Sequence, residues 1–168
     1  MLYFAYGSNL NHDQMQYLRC GGCKYLRNTF LKNHELSFCH PNKNNVFGYA
    51  NVFKKKGSKV PGAIWKISKK HEKVLDTYEQ FPKAYVKDYF YLNSEKVMFY
   101  IMETCKFKKP SKRYVDIIVE GYKNCNLDLK YLKDRLSYYK INFWFIFESK
   151  KNYENHMYCS SKIGIKKI

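Results

Sequence analysis

Met1-Leu2-Tyr3-Phe4-Ala5-Tyr6-Gly7-Ser8-Asn9-Leu10 decides how the rest of this chain is read. The first six residues are aromatic or aliphatic and predict a buried strand; Gly7-Ser8-Asn9 then breaks the run ahead of a polar stretch that predicts a helix. A strand, a tight loop and a helix start gather several backbone N–H groups at one place. Glycine tolerates unusual dihedrals there, and the first N–H groups of a helix have no internal acceptor. Such a loop favours an anion, a carboxylate for example. An ordinary strand-to-helix turn has the same local appearance.

Outward from that loop, Asn11 is placed to cap a short helix, with Gln14 three positions on and Met15 and Leu18 as its apolar face; Gly21-Gly22 ends it. Tyr25 to Leu31 and Leu36 to His40 alternate as strands around Lys32-Asn33-His34, and Pro41 to Asn45 is a loop by composition. Tyr49 to Phe53 and Val60 to Ile67 predict two more strands around a basic turn, Lys54 to Ser58, with Pro61 expected at a strand end or bulge. Ser68 caps a helix with Val74, Leu75 and Tyr78 on one face, closed at Pro82. Tyr85 to Leu92 and Lys96 to Met102 form a hairpin through Asn93-Ser94-Glu95. Pro110-Ser111 opens a clear amphipathic helix in which Tyr114, Ile117, Ile118, Gly121, Tyr122 and Cys125 recur at helical spacing, and a second helix runs from about Leu129 to Tyr139 with Leu132 and Leu136 inward. Six or seven strands against three or four short helices make an α+β fold, a small curled mixed β-barrel with a few surrounding helices. Its mouth is a natural place for a small-molecule site.

A length of 168 residues fits one domain, read as 1–140 with a C-terminal extension, 141–168, of unassigned role that holds one apolar patch, Phe143 to Phe147, and then turns polar. Hydrophobic content of 45%, with 17 Tyr and 12 Phe, favours a sheet-rich folded interior over disorder. No apolar run approaches the roughly 18 residues of a membrane-spanning helix, and the start lacks the pattern of a secretory signal, so the expected location is cytoplasmic with no membrane partner.

A net charge of +17 attracts polyanions in general. The lysines are nevertheless spread along the chain, with short clusters at Lys54-Lys55-Lys56 and Lys108-Lys109, and no nucleic-acid-reading motif accompanies them, so no specific nucleic-acid partner is expected. Abundant Lys, Asn, Ile and Tyr together also fit an AT-rich coding bias. Cys20 and Cys23, with Cys39-His40 nearby, have spacing that allows a redox or zinc pair. The second half offers no matching pair, however, and these cysteines follow the predicted helix rather than open it. No metal is expected, and without an export signal the six cysteines are expected as thiols.

Tyr3-Phe4-Ala5-Tyr6-Gly7-Ser8-Asn9-Leu10 resembles the opening motif of γ-glutamylcyclotransferases. Leu75-Asp76-Thr77-Tyr78-Glu79-Gln80-Phe81-Pro82, followed by Tyr85, is similar to the segment that bears the family's catalytic glutamate, and Pro110-Ser111-Lys112-Arg113-Tyr114 to the third landmark. The resemblance spans roughly the first 140 residues. It implies a compact barrel and a cofactor-free reaction in which a γ-glutamyl amide cyclises to 5-oxoproline and releases an amine or amino acid. It further implies Glu79 as general acid/base, Tyr3, Phe4, Ala5, Tyr6, Gly7, Ser8 and Asn9 as the substrate-binding loop, and Tyr85 and Tyr114 beside the site. The small-molecule γ-glutamyl substrate is then the expected partner, and a homodimer is left open. Gln80 departs from the glycine that many relatives carry after the glutamate, which puts the shape of that turn in question. A non-catalytic or differently specific member acting as a basic binding protein is the alternative reading. Either way, the proposal requires Glu79 and the Gly7–Asn9 turn to face one cavity.

Overall fold

The structure is a computed structural model that describes residues 1–140. Phe143 to Phe147 and the rest of the extension lie outside the described residues. β1 (Leu2–Ala5) sits inside a six-stranded sheet with β2 (Lys24–His40), β3 (Tyr49–Lys66), β4 (Val86–Leu92), β5 (Glu95–Ile101) and β6 (Lys106–Phe107), ordered β4-β5-β1-β3-β2-β6. β1 runs antiparallel to β3, with Tyr3 opposite Trp65, and parallel to β5, with Tyr3 opposite Met98. The sheet is therefore mixed, and it curls into a half-barrel with α1 (Lys69–Tyr78), α2 (Lys112–Asn124) and α3 (Leu129–Ser137) around it, the expected α+β class. Buried Asn51 helps hold the curl: its Nδ2 donates to Met102 O at 3.0 Å, and its Oδ1 accepts from Met102 N at 2.9 Å.

Where the sequence predicts four strands between Tyr25 and Ile67, the structure has two long ones. Pairing runs from Lys24 opposite Lys66 to Cys39 opposite Tyr49 and is interrupted by two register shifts. At one of these, two steps along β2 (His34 to Lys32) face five along β3 (Lys54 to Lys59), so the basic segment is a bulge that protrudes from the ladder. Turn-forming residues mark both a bulge and a hairpin, so sequence punctuation splits what the sheet keeps whole. Pro61 falls within β3, not at its end. It lies past Ala63, the last partner of β1, where β3 has lost its neighbour on one side and a missing N–H is tolerated.

The helix starts are as expected. Ser68 Oγ accepts from His71 N at 3.1 Å, Ser111 Oγ accepts from Tyr114 N at 3.2 Å, and Asn11 Oδ1 accepts from Gln14 N at 2.9 Å. The apolar faces are narrower than predicted. On α1, Leu75 is fully buried while Tyr78 is 57% exposed; after Asn11, Met15 is buried while Leu18 is 76% exposed. That first segment is a 3-10 turn, Ser8–Leu10, followed by a π-helical turn, Gln14–Arg19, and the wider π spacing rotates Leu18 away from the face that α-helical spacing assigns it. The β4–β5 hairpin turns at Asn93 and Ser94, both at positive φ, as tight two-residue hairpins require.

Two cysteine expectations part company. Cys20, Cys23 and Cys125 are buried free thiols. Burial pushes Cys20 up to about 11, and its Sγ donates to His71 O at 3.8 Å. Cys39 and Cys105, by contrast, are joined in a disulfide, their Cα atoms 5.7 Å apart. The end of β2 meets the segment after β5 only through the curl of the sheet, a proximity that sixty-six positions of sequence conceal. Among the described residues no helix is long and apolar enough to cross a membrane.

Candidate active site

The break after β1 falls at Gly7, where there is almost no room for a side chain: a Cβ there would stand 2.9 Å from Ala50 Cβ and 3.3 Å from Tyr114 Oη. Leu10 N donates to Gly7 O at 3.0 Å, closing the 3-10 turn, while the N–H groups of Ser8 and Asn9 have no acceptor inside it. α2 braces the turn from behind. Gly121 makes this approach possible, since a Cβ on it would meet Leu10 Cβ at 2.6 Å and Asn11 N at 2.7 Å. Asn9, 4% exposed, points its amide inward, and Nδ2 donates to Tyr3 Oη at 2.8 Å and to Glu79 Oε1 at 2.9 Å. Among the described residues no donor reaches the buried Asn9 Oδ1.

Glu79 arrives from the opposite direction, as the residue that ends α1. Phe81 N donates to Asp76 O at 2.8 Å and Gln80 N to Thr77 O at 3.2 Å, the two bonds of a Schellman stop. That stop needs a left-handed residue after the cap, and Gln80 supplies it at φ 52°. The turn therefore keeps the shape a glycine would give it, at an intrinsic cost of about 1–2 kcal/mol. Burial raises the Glu79 pKa, opposed by the Arg19 charge and by the Asn9 hydrogen bond. The negative end of α1 adds to the upward push.

Tyr3, Tyr6, Gly7, Ser8, Asn9, Tyr85 and Tyr114 all line one cavity with Glu79, as the sequence reading requires, and Ala50 and Tyr100 complete it. Phe4 and Ala5 do not line it. They are fully buried in the core, Phe4 packed against Phe90 with ring centroids 5.6 Å apart, because strand alternation turns Phe4 away from Tyr3 and Ala5 is covered by packing. The tyrosines are held by hydrogen bonds: Tyr6 Oη donates to Tyr100 O at 2.6 Å, Tyr85 Oη donates to Ala50 O at 2.9 Å, and Tyr114 Oη accepts from Ala50 N at 3.1 Å. Burial raises the pKa of each of these phenols, Tyr114 to about 12, so they remain neutral donors at ordinary pH. Tyr100, which sequence spacing did not single out, donates to Asp76 Oδ1 at 2.7 Å and so ties β5 to α1.

The inner cavity, about 30 Å³, has room for roughly two waters. Beside it lies a second of about 160 Å³ that shares Ser8, Glu79, Tyr85 and Tyr114 and adds His40, Pro41, Tyr49, Tyr78, Gln80, Ala84 and Met102. One carboxyl thus faces both a narrow polar recess and a roomier aromatic vestibule. That arrangement suits a proton carrier working on a substrate whose head enters the recess and whose remainder stays outside.

The family model described as "Gamma-glutamyl cyclotransferase, AIG2-like" matches residues 3–121. The chain belongs to this family. Gamma-glutamylcyclotransferase from Bos taurus is 29% identical over 147 residues, covering 79% of this chain and 75% of the relative. The Homo sapiens protein of the same name is 30% identical over 145 residues, covering 77% and 74%. A solved gamma-glutamyl cyclotransferase structure superposes with a TM-score of 0.69 at 26% identity, covering 80% of this chain and 85% of that one. For a cyclotransferase-family chain, the three sequence landmarks fall at the turn after β1, the end of α1 and the start of α2, and all three converge on the Glu79 cavity.

Proposed function

We propose that this protein cyclises a γ-glutamyl amide to 5-oxoproline and releases the amine or amino acid, with Glu79 as general base and then general acid. The observation that carries the reading is the Asn9 amide, which joins the turn after β1 to Glu79 inside one cavity. The substrate holds nucleophile and electrophile in one molecule, so bending it into an attack geometry does much of the work; such tethering can reach effective molarities of about 10⁵ M or more. No protein nucleophile is required, and Ser8 has no part as one.

The α-ammonium must first lose a proton. Glu79, held in place by the Asn9 amide, is the group that takes it. As the amine adds to the γ-carbonyl, negative charge grows on its oxygen, and the N–H groups of the Gly7–Asn9 turn and the hydroxyls of Tyr3 and Tyr114, which accept rather than donate in the resting site, are the donors available to it. Glu79 then returns its proton to the departing nitrogen, the ring nitrogen gives its second proton to the released amine, and the amine leaves as an ammonium through the vestibule. A raised carboxyl pKa brings that proton transfer closer to balance at neutral pH. The vestibule's aromatic lining supports a leaving group with an apolar portion.

The test is to incubate the protein with a panel of γ-glutamyl dipeptides and γ-glutamyl amines and assay 5-oxoproline. Glu79→Gln is expected to lower turnover about 10²- to 10⁴-fold. Absence of product from every member of the panel would overturn the proposal.

A further inference from the structure

Arg19 lines neither cavity, yet it is 7% exposed and sits between the two halves of the site. Its Nη2 donates to Gln14 Oε1 at 2.7 Å, and the other end of that amide, Gln14 Nε2, reaches Ser8 O at 3.5 Å. On its far side, the guanidinium carbon lies 3.5 Å from the ring centroid of Tyr78, the residue before Glu79. Among the described residues no acceptor meets Arg19 Nε or Nη1. A buried guanidinium with two unanswered N–H groups is expensive to keep for packing alone. A glutamine strap to one catalytic element and a stacked ring on the other give it a definite place.

We propose that Arg19 is a positioning residue for the reaction: its guanidinium bridges the Gly7–Asn9 turn, through Gln14, to the end of α1, through Tyr78, and sets a fixed positive charge behind the Glu79 carboxyl. Charge there is what a carboxyl that must ionise inside a recess lined by five tyrosines needs. Tyr3, Tyr6, Tyr85, Tyr100 and Tyr114 surround Glu79 as neutral groups, and Asn9 supplies one hydrogen bond. Farther out, Asp76 is answered by Lys87 at 2.7 Å. Arg19 is the charged group that opposes burial at Glu79, and it acts in the same sense on Tyr3 and Tyr114. Its place differs from that of a substrate ligand, since the side chain stays behind the cavity wall.

This inference rests on Glu79 being the proton carrier, and the experiment separates the two. Glu79 is followed by carbon NMR of its side-chain carboxyl, identified by loss of the signal in Glu79→Gln, in the wild type, Arg19→Gln and Arg19→Lys; no substrate is involved. Arg19→Gln keeps a polar, packable side chain and removes the charge, and the Glu79 midpoint is expected to rise by about one pH unit. Arg19→Lys, which keeps the charge, is expected to hold the midpoint near that of the wild type while weakening the Gln14 contact. If 5-oxoproline is formed, the acid limb of kcat/KM should move with the midpoint. A Glu79 midpoint unmoved in Arg19→Gln, or shifted equally in Arg19→Lys, would overturn the role, whereas a wild type that makes no 5-oxoproline would strike the catalytic reading and leave this measurement standing.

Discussion

Asn9 Nδ2 stands 2.9 Å from Glu79 Oε1, a hydrogen bond that spans seventy positions of chain. Its direction matters as much as its length, because an N–H donor stabilises the ionised carboxylate and opposes the burial that favours the protonated form. Replacing Asn9 by Ala removes that donor and also leaves the Tyr3 hydroxyl without it. Glu79 should then titrate higher, and kcat/KM at pH 6 should fall more than at pH 8. A hydrogen bond to a charged group is worth about 1.5–3 kcal/mol, so a loss of about ten- to a hundredfold in kcat/KM is expected, read from a pH–rate profile.

The same carboxyl should destabilise the fold at neutral pH. Its folded pKa is raised above the unfolded value, so between those two values the native state binds more protons, and stability declines as pH rises through the window. Glu79→Gln abolishes this loss and retains an oxygen to accept from Asn9. Thermal denaturation should find the variant and the wild type close together near pH 4 and the variant higher-melting at pH 8. A gap that fails to open with pH would contradict the burial of that carboxyl.

Gln80 at φ 52° holds the left-handed place of a helix stop without being glycine. Gln80→Gly should relieve about 1–2 kcal/mol of backbone strain against roughly 0.5–1 kcal/mol of extra unfolded-chain entropy, for a small net gain of up to about 1.5 kcal/mol. β-branched Val at the same place should destabilise instead. Chemical denaturation of the three proteins checks the order.

Lys87 joins Glu72 at 2.9 Å and Asp76 at 2.7 Å, with 14% of its side chain exposed. Burial pushes Glu72 up, and the bonds to Lys69 and Lys87 together outweigh it, leaving the pKa lowered. Lys87→Met takes the shared cation from Asp76 and leaves Glu72 with the exposed Lys69, and is expected to cost up to about 3–5 kcal/mol at pH 7. For a depressed carboxyl the stabilisation exists above its unfolded pKa and vanishes as pH falls through the folded one. The penalty should therefore shrink when urea denaturation is repeated in acid. Because Asp76 also receives the Tyr100 hydroxyl, KM should rise along with the loss of stability.

Local chemistry was legible from the chain alone. An aromatic run followed by Gly-Ser-Asn gave β1 and its turn, Ser68 and Ser111 gave helix starts, and Asn93-Ser94 gave a hairpin, because caps and tight turns depend on a residue and its near neighbours. The three landmarks also named Glu79, Tyr85 and Tyr114 in advance, and all three reach the cavity. Phe4 and Ala5 were carried along with the motif and belong to the core, Phe4 because strand alternation turns it to the other face from Tyr3 and Ala5 because packing covers it.

Other features depended on which surfaces the curled sheet brings together. β2 and β3 became long strands because pairing resumes on both sides of the bulge, which outweighed turn residues at Lys32 to His34 and Lys54 to Ser58. Tyr100 entered the site from the strand parallel to β1, and Cys39 met Cys105 across the curl. Arg19 has no sequence signature, being a lone arginine at the end of a glutamine-containing turn; only burial beside Tyr78 and Gln14 reveals its position. The chain by itself determined which residues can turn, cap and carry a proton. Tertiary structure decided which of them share a water-poor recess, because desolvation and charge act through space and depend on distances that sequence separation does not set.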